Sequence, residues 1–331
     1  MASSNGSADR RGSRYARRIA LFAGAIVLAI AAYSAAWHYF ARQVEREARD
    51  AIAALNRDGL RAHCEELEAK GYPFRIGIFC RSLYYEDVNE GVSVRTGAFR
   101  SAAQIYQPAR VVGEIDGPAA IVLPFGPAVE LDWRVLRASA RIATPLPNIF
   151  SSEGKDLVLA RKEGAAGTVA TASRTEFHAR PAENDLQFAA RFDDLAPGEA
   201  VAIDLPAVSG SISATLEDGV GRFLRGEREL HGSSWQIDEL LIGEAGGGAR
   251  LSVSGTVSVG ENGLIDAELR IEANEPARIA TLAGQAFPPL KDQLEAASGL
   301  IAGLAGQPLP LRIKDGRVSL GFVRLGQIPA I

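Results

Sequence analysis

Residues 251–272 read LSVSGTVSVGENGLIDAELRIE. Leu251, Val253, Val257 and Val259 alternate with Ser252, Ser254, Thr256 and Ser258. Beyond Asn262-Gly263, Ile265, Ala267, Leu269 and Ile271 alternate with Asp266, Glu268, Arg270 and Glu272. A period of two sends successive side chains to opposite faces of a strand. Asn-Gly between two such runs is the strongest short-range hairpin signal. The stretch therefore predicts two antiparallel strands with one apolar face and one polar face turned to water.

Moving toward the C-terminus, Ile279, Leu282, Ala283 and Ala286 give a short helical stripe, and Leu290, Leu294, Ala297, Ile301 and Leu304 a longer one. Pro288-Pro289 separates them as an elbow. A second hairpin follows, with Leu309, Leu311 and Ile313, the Asp315-Gly316 turn, then Val318, Leu320 and Phe322. Two late helices over a one-sided sheet would bury its apolar face as an ordinary core, since such faces are generally covered.

Toward the N-terminus, short strand-like runs recur: Gly91–Arg95, Arg110–Ile115, Ala119–Leu123, Val129–Trp133, Lys155–Arg161 and Leu186–Phe192. Gly154, Gly164 and Gly246-Gly247-Gly248 read as turns between them. The first strand begins after Tyr72, where Phe74, Ile76, Ile78 and Cys80 alternate with Arg75, Gly77 and Arg81 and point inward. The fold class is mainly β (α+β): an N-terminal transmembrane helix followed by a large antiparallel sheet, with sandwich, barrel and open curl as the alternatives, and a late helical pair on one face.

The first forty residues are of another kind. Arg10, Arg11, Arg14, Arg17 and Arg18 precede an uncharged apolar run from Ile19 to Phe40, long enough for the roughly 20 residues a spanning helix needs. Positive flanks resist translocation, so the N-terminus is expected in the cytoplasm. Signal-peptide apolar regions are shorter, about 7–15 residues, and Tyr33, Trp37, Tyr39 and Phe40 suit an interfacial belt. An uncleaved anchor is the favoured reading over cleavage near Ser34-Ala35-Ala36. From Arg42 to Leu60, Val44, Ala48, Ala51, Ile52 and Leu55 continue a helical stripe, with Asn56-Arg57-Asp58-Gly59 as a stop. The expected organisation is a cytoplasmic tail (1–18), an anchor (19–40), a helical stalk (41–60) and a periplasmic β-rich body (61–331), with a subdomain break near 150–235.

Five arginines and one aspartate give residues 1–18 a charge of +4, so the −4 of the whole chain leaves −8 on the rest. That acidic body lacks the basic footprint of a nucleic-acid binder, and any lipid contact would be apolar. Cys64 and Cys80 are the only cysteines. On the exported side of a membrane, disulfides persist, and a bridge closing about 15 residues contributes about 3 kcal/mol. Two buried thiols are the alternative. Metal binding is disfavoured, because structural zinc takes four ligands.

Catalytic signatures are missing. His38, His63, His178 and His231 are scattered without metal-ligand spacing. There is no Gly-x-Ser-x-Gly elbow and no P-loop, and Gly219-Val220-Gly221 lacks the third glycine of a dinucleotide fingerprint. Asp193-Asp194 and Glu65-Glu66 read as carboxylates on solvated turns. No cofactor or metal is implied, and the reading is a non-enzyme.

Several stretches together carry a resemblance: the membrane helix; Cys64, Gly71-Tyr72-Pro73-Phe74-Arg75 and Cys80; Ile105-Tyr106-Gln107-Pro108; and Asp116-Gly117-Pro118. Leu131-Asp132-Trp133, Leu136-Arg137-Ala138-Ser139, Asp315-Gly316-Arg317-Val318-Ser319-Leu320-Gly321 and Gly326-Gln327-Ile328-Pro329 complete it. With these the chain resembles the bacterial family called domain of unknown function 2125, which implies no activity and no catalytic residues. More distantly, its architecture is similar to that of AsmA-like proteins. Those have an inner-membrane anchor and a β-rich periplasmic body, and are linked to outer-membrane assembly and lipid movement along a curled apolar sheet.

Two functional readings follow. In the first, the protein handles lipid or maintains the envelope: an apolar sheet face shelters acyl chains at about 0.8 kcal/mol per buried methylene, with Val253, Val257, Ile265, Leu269 and Ile271 in the lining. In the second it is a scaffold that binds another envelope protein through an exposed patch or sheet edge. The expected location is the bacterial inner membrane, as a single-pass protein.

Overall fold

In the computed structural model, the described residues are 9–57, 59–162, 167–201, 203–227, 229–286, 308–321 and 323–331. Helix α1 covers Asp9–Leu55. The first ten strands are β1 (Leu60–Cys64), β2 (Glu68–Lys70), β3 (Arg75–Cys80), β4 (Leu83–Asp87), β5 (Val92–Thr96), β6 (Phe99–Gln104), β7 (Gln107–Ile115), β8 (Ala119–Val122), β9 (Val129–Asp132) and β10 (Val135–Arg141). The longer strands follow: β11 (Ile149–Arg161), β12 (Gly167–Ala182), β13 (Asp185–Pro197) and β14 (Val208–Leu216), then helix α2 (Gly219–Arg225). Next come β15 (Ser234–Glu244), β16 (Arg250–Val259), β17 (Ile265–Asn274) and helix α3 (Pro276–Ala286). The chain finishes with β18 (Leu309–Lys314), β19 (Arg317–Leu320) and β20 (Val323–Gln327).

All twenty strands join one antiparallel sheet that does not close. From β11 to β20 it is a simple meander, each strand paired with the next. The hairpin of residues 251–272 is its β16–β17 pair, with Val253 opposite Ile271 and Val257 opposite Ala267. Before β11 the sheet splits into two leaves. One runs β2-β3-β6-β7-β10, the other β1-β4-β5-β8-β9. Strand β11 holds both, pairing with β10 through 149–155 and with β9 through 158–161.

Each chain run crosses from one leaf to the other at a kink, and the kinks line up. They fall at Arg81-Ser82, Gly97-Ala98, Asp116-Gly117-Pro118, Trp133-Arg134 and Asp156, the last at φ 52°. Backbone hydrogen bonds join neighbouring kinks, among them Gly97 N–H to Asp116 O (3.1 Å) and Arg134 N–H to Lys155 O (3.0 Å). Residues that leave the ladder bend a sheet, so the crease is a built feature. Trp133 is buried there and donates its indole N–H to Ile115 O at 2.7 Å. At the far end, Cys64 of β1 and Cys80 of β3 form a disulfide with Cα atoms 5.3 Å apart.

Several sequence expectations need correction. Phe74 precedes β3 and is 67% exposed, so the inward set is Ile76, Ile78 and Cys80. Gly154 is a buried residue inside β11, because its Cα faces Thr175, whose hydroxyl takes the space of a side chain. Asp193-Asp194 lies within β13, with Asp194 at φ 54° and its backbone N–H donating to Ser209 Oγ at 3.0 Å, where the register with β14 shifts. The first helix ends at Leu55, and Leu60 already opens β1. The expected helix through Leu290–Leu304, Gly164 and Phe322 lie outside the described residues.

Candidate functional site: an apolar row across the sheet

Strand register decides which side chains share a face, because partners across an antiparallel ladder point the same way. Following partners outward from the hairpin gives one uninterrupted row. It runs Ile76–Ala103–Val111–Ala140–Phe150–Ala179–Phe188 through β3, β6, β7, β10, β11, β12 and β13. It goes on through Ala214–Ile237–Gly255–Leu269–Leu311–Leu320 on β14 to β19. Thirteen strands contribute and none offers a polar side chain. At about 4.8 Å between strands, the row is about 58 Å long.

Large and small residues alternate along it, with alanines beside Phe150, Phe188 and Ile237. Aromatic rings continue the surface: Phe150–Phe177, Phe177–Phe188 and Phe188–Trp235 centroids are 6.3, 6.2 and 5.8 Å apart. Among the described strands, every buried residue except Gly77 lies on this face or at the crease. Yet no large side chain among the described residues is fully buried. The accessible area of 21424 Å² far exceeds the about 13,000 Å² expected of a compact monomer of this mass. Among the described residues, the strands form a single layer.

The residues expected to line an apolar face fall into this surface. Val253 (buried) opposes Leu240 and Ile271, Val257 opposes Trp235 and Ala267, and Leu269 sits in the row itself. Ile265 pairs with Val259 at the edge of the hairpin. The half of the row from Ile76 to Ala179 was not singled out by sequence. Its signal is faint: alanines between single large residues, on strands that carry charges at alternate positions.

The opposite face is a charge ladder. Three positions along each strand, Arg100, Glu114, Arg137, Glu153, Glu176 and Arg191 are cross-strand neighbours in that order. Arg137 hydrogen-bonds Glu153 (Nε to Oε2, 2.8 Å), and Arg174 bridges the like-charged pair Glu153 and Glu176 at 3.0 and 2.5 Å. Hydrogen bonding from Lys155, then Arg137, holds the Glu153 carboxyl below its ordinary range despite its partial burial. Lys314 does the same for Asp266, and Arg278 for Glu244. These shifts come from pairing on a wet surface.

Elsewhere, histidines serve local structure. His178 Nδ1 lies 2.8 Å from Ser151 Oγ on the polar face, and among the described residues no carboxylate pairs with His178 to complete a triad. His231 Nε2 is 2.9 Å from Ile331 O. Among the described residues no cluster of metal-ligating side chains occurs.

Helix α1 meets the sheet where the row begins. Its residues 15–55 include a span long and apolar enough to cross a membrane, with none of that span buried. Tyr33 Oη donates to Pro73 O (2.5 Å), Ser34 Oγ and Tyr72 Oη are 2.8 Å apart, and Trp37 Nε1 donates to Arg75 O (2.9 Å). Trp37 and Ala41 are buried, Trp37 edge-on to Tyr72 at 5.5 Å. One turn further, Glu45 accepts from Ala69 N–H at 2.8 Å. The stripe 33, 34, 37, 41, 45 is a helical face, and its partner is the segment that leads into β3.

No curated protein and no solved structure is similar to the chain at a significant level. Residues 37–329, which run from the helix docking face to the end of the sheet, match the model of a family described as an uncharacterised protein conserved in bacteria (DUF2125), and the chain belongs to that family.

Proposed function

We propose that this protein is anchored by α1 in the bacterial inner membrane, holds its body in the periplasm, and carries the acyl chains of phospholipid along its apolar row. The observation that supports this best is the row itself: thirteen strands deep, free of polar side chains, and starting at the strand that α1 docks against. An acyl chain there needs no charged site, since each methylene removed from water contributes about 0.8 kcal/mol. The basic residues before Ile19 would hold the N-terminus in the cytoplasm. The acidic body and its charge ladder would keep the outer face in water. Val253, Val257, Ile265, Leu269 and Ile271 would line the distal half of the path.

A benzophenone amino acid replacing Phe188 in the full chain tests the proposal by photo-crosslinking in membranes. Lipid adducts at 188, and none when the probe replaces Arg191 on the opposite face, are the expected result. Equal labelling of both, or of neither, would sink the lipid path.

The second reading, a scaffold for another envelope protein, draws on the sheet edge. Among the described strands, β20 pairs only with β19, and an unpaired edge is a template for an added strand. Protein adducts with the probe at Arg324 on β20, with no lipid adducts at 188, would favour it.

A further inference from the structure

The docking contacts set the height of the sheet relative to the apolar run of α1. A hydrocarbon core of about 30 Å takes about 20 helical residues at 1.5 Å each, so a span starting at Ile19 ends near His38. Tyr33, Ser34 and Trp37 lie before that point, and they hold Tyr72, Pro73 and Arg75. The loop from Gly71 to Phe74 therefore lies at or inside the boundary whenever α1 spans a bilayer.

Its chemistry suits that depth. The polar groups of Tyr33, Ser34, Tyr72 and Trp37 are satisfied by one another or by carbonyls of the loop, as a water-poor setting requires. What faces outward is apolar. Phe74 is 67% exposed, and its carbonyl accepts the N–H of Ile105 (3.1 Å) at the β6–β7 tip. There Tyr106 is 70% and Ile105 40% exposed. Tyr39 and Phe40 of α1 are exposed as well. Side chains this large and apolar, gathered at one end of an acidic body, have no reason to face water.

Resting on the anchor reading above, we infer that Phe74, Ile105 and Tyr106 insert into the bilayer leaflet beside α1. They form an apolar lip that seats the first strand of the row, β3, in the membrane surface. The occupant is the lipid leaflet itself, held by apolar and aromatic contact rather than by headgroup charge. The lip gives acyl chains a dry route from leaflet to sheet.

The test places an environment-sensitive NBD fluorophore on single added cysteines at Leu28, Phe74, Tyr106 and Phe125. The full chain is reconstituted in vesicles of phosphatidylethanolamine and phosphatidylglycerol containing a spin-labelled acyl chain that quenches by contact. Phe125 is the control: 90% exposed, but on the β8–β9 loop at the other end of the β7–β8 run. Quenching by at least about twofold at 28, 74 and 106, with none at 125, is expected. Quenching at 28 alone overturns the lip and leaves the anchor standing. Equal quenching at all four means the sheet lies flat on the bilayer, and overturns it too. An unquenched Leu28 removes the anchor, and the lip with it. Two independent lip positions guard against one labelled variant that misfolds.

Discussion

At residue scale, Gly255 shows how tightly the row is built. It takes φ 137°, and a Cβ there would come within 2.1 Å of Glu268 O on the neighbouring strand. Gly255→Ala combines an unfavourable backbone conformation with a clash. We expect a loss of about 1–3 kcal/mol, measurable as a lower urea midpoint at unchanged slope. Glu153 makes the corresponding statement for the polar face. Its carboxyl is held below the ordinary value of 4.5 by Lys155 and Arg137. A depressed carboxylate contributes stability that is complete above that value and fades as pH falls through its folded pKa. Stability should therefore be flat near neutrality and drop below about pH 4.5, and Glu153→Gln should make the drop shallower. Denaturation midpoints between pH 7 and 3 would check it. Alternation exposed the strand around Gly255 to sequence reading, whereas Glu153 lay ahead of the run read from Lys155 to Arg161. The strain at Gly255 could not be read, because Ser-Gly-Thr inside a strand looks the same with or without a close neighbour.

At element scale, α1 is at once a candidate membrane span and a packed helix. Trp37 joins the two roles: it is buried, edge-on to Tyr72 and hydrogen-bonded to Arg75 O. Trp37→Ala should cost about 3 kcal/mol, the low end for such truncations. The loop from Gly71 to Arg75 should then become cleavable by protease while the distal meander stays protected. The helix was legible as an apolar run followed by an amphipathic stripe. Its docking partner was not: Phe74 alternates with Ile76 and Ile78 and so passes for a core residue. Exposure of that residue follows from a turn that ends just before β3, which no periodicity reveals. The strands of residues 149–216 were likewise only partly seen, since kinks at Asp156 and Asp194 break the alternation in mid-strand.

For the whole molecule, the disulfide has a role beyond pinning a loop. It connects β1, the edge strand of one leaf, to β3, which pairs with β2, the edge strand of the other. Replacing Cys64 and Cys80 together by Ala should lower stability by about 3 kcal/mol, and the loss should concentrate in residues 60–141. Hydrogen exchange would show faster exchange in β1 to β9 with β13 to β17 unchanged. A uniform change across the sheet would mean that the leaves do not loosen separately.

The sequence alone determined what local chemistry can determine. Apolar length marked the helix, period two marked one-sided strands, Asn-Gly and Asp-Gly marked hairpins, and a lone cysteine pair beyond an apolar N-terminal run marked a bridge. Each depends on residues a few positions apart, whose side-chain directions follow from backbone geometry. Only the tertiary structure decided that the strands form one open sheet. It alone split the sheet into two leaves at an aligned crease, extended the apolar face unbroken for thirteen strands, and started that face where α1 docks. Those features depend on register and on kinks shared between strands that lie tens of residues apart in the chain. Register arises from how whole strands fit side by side, so no single stretch of sequence contains it.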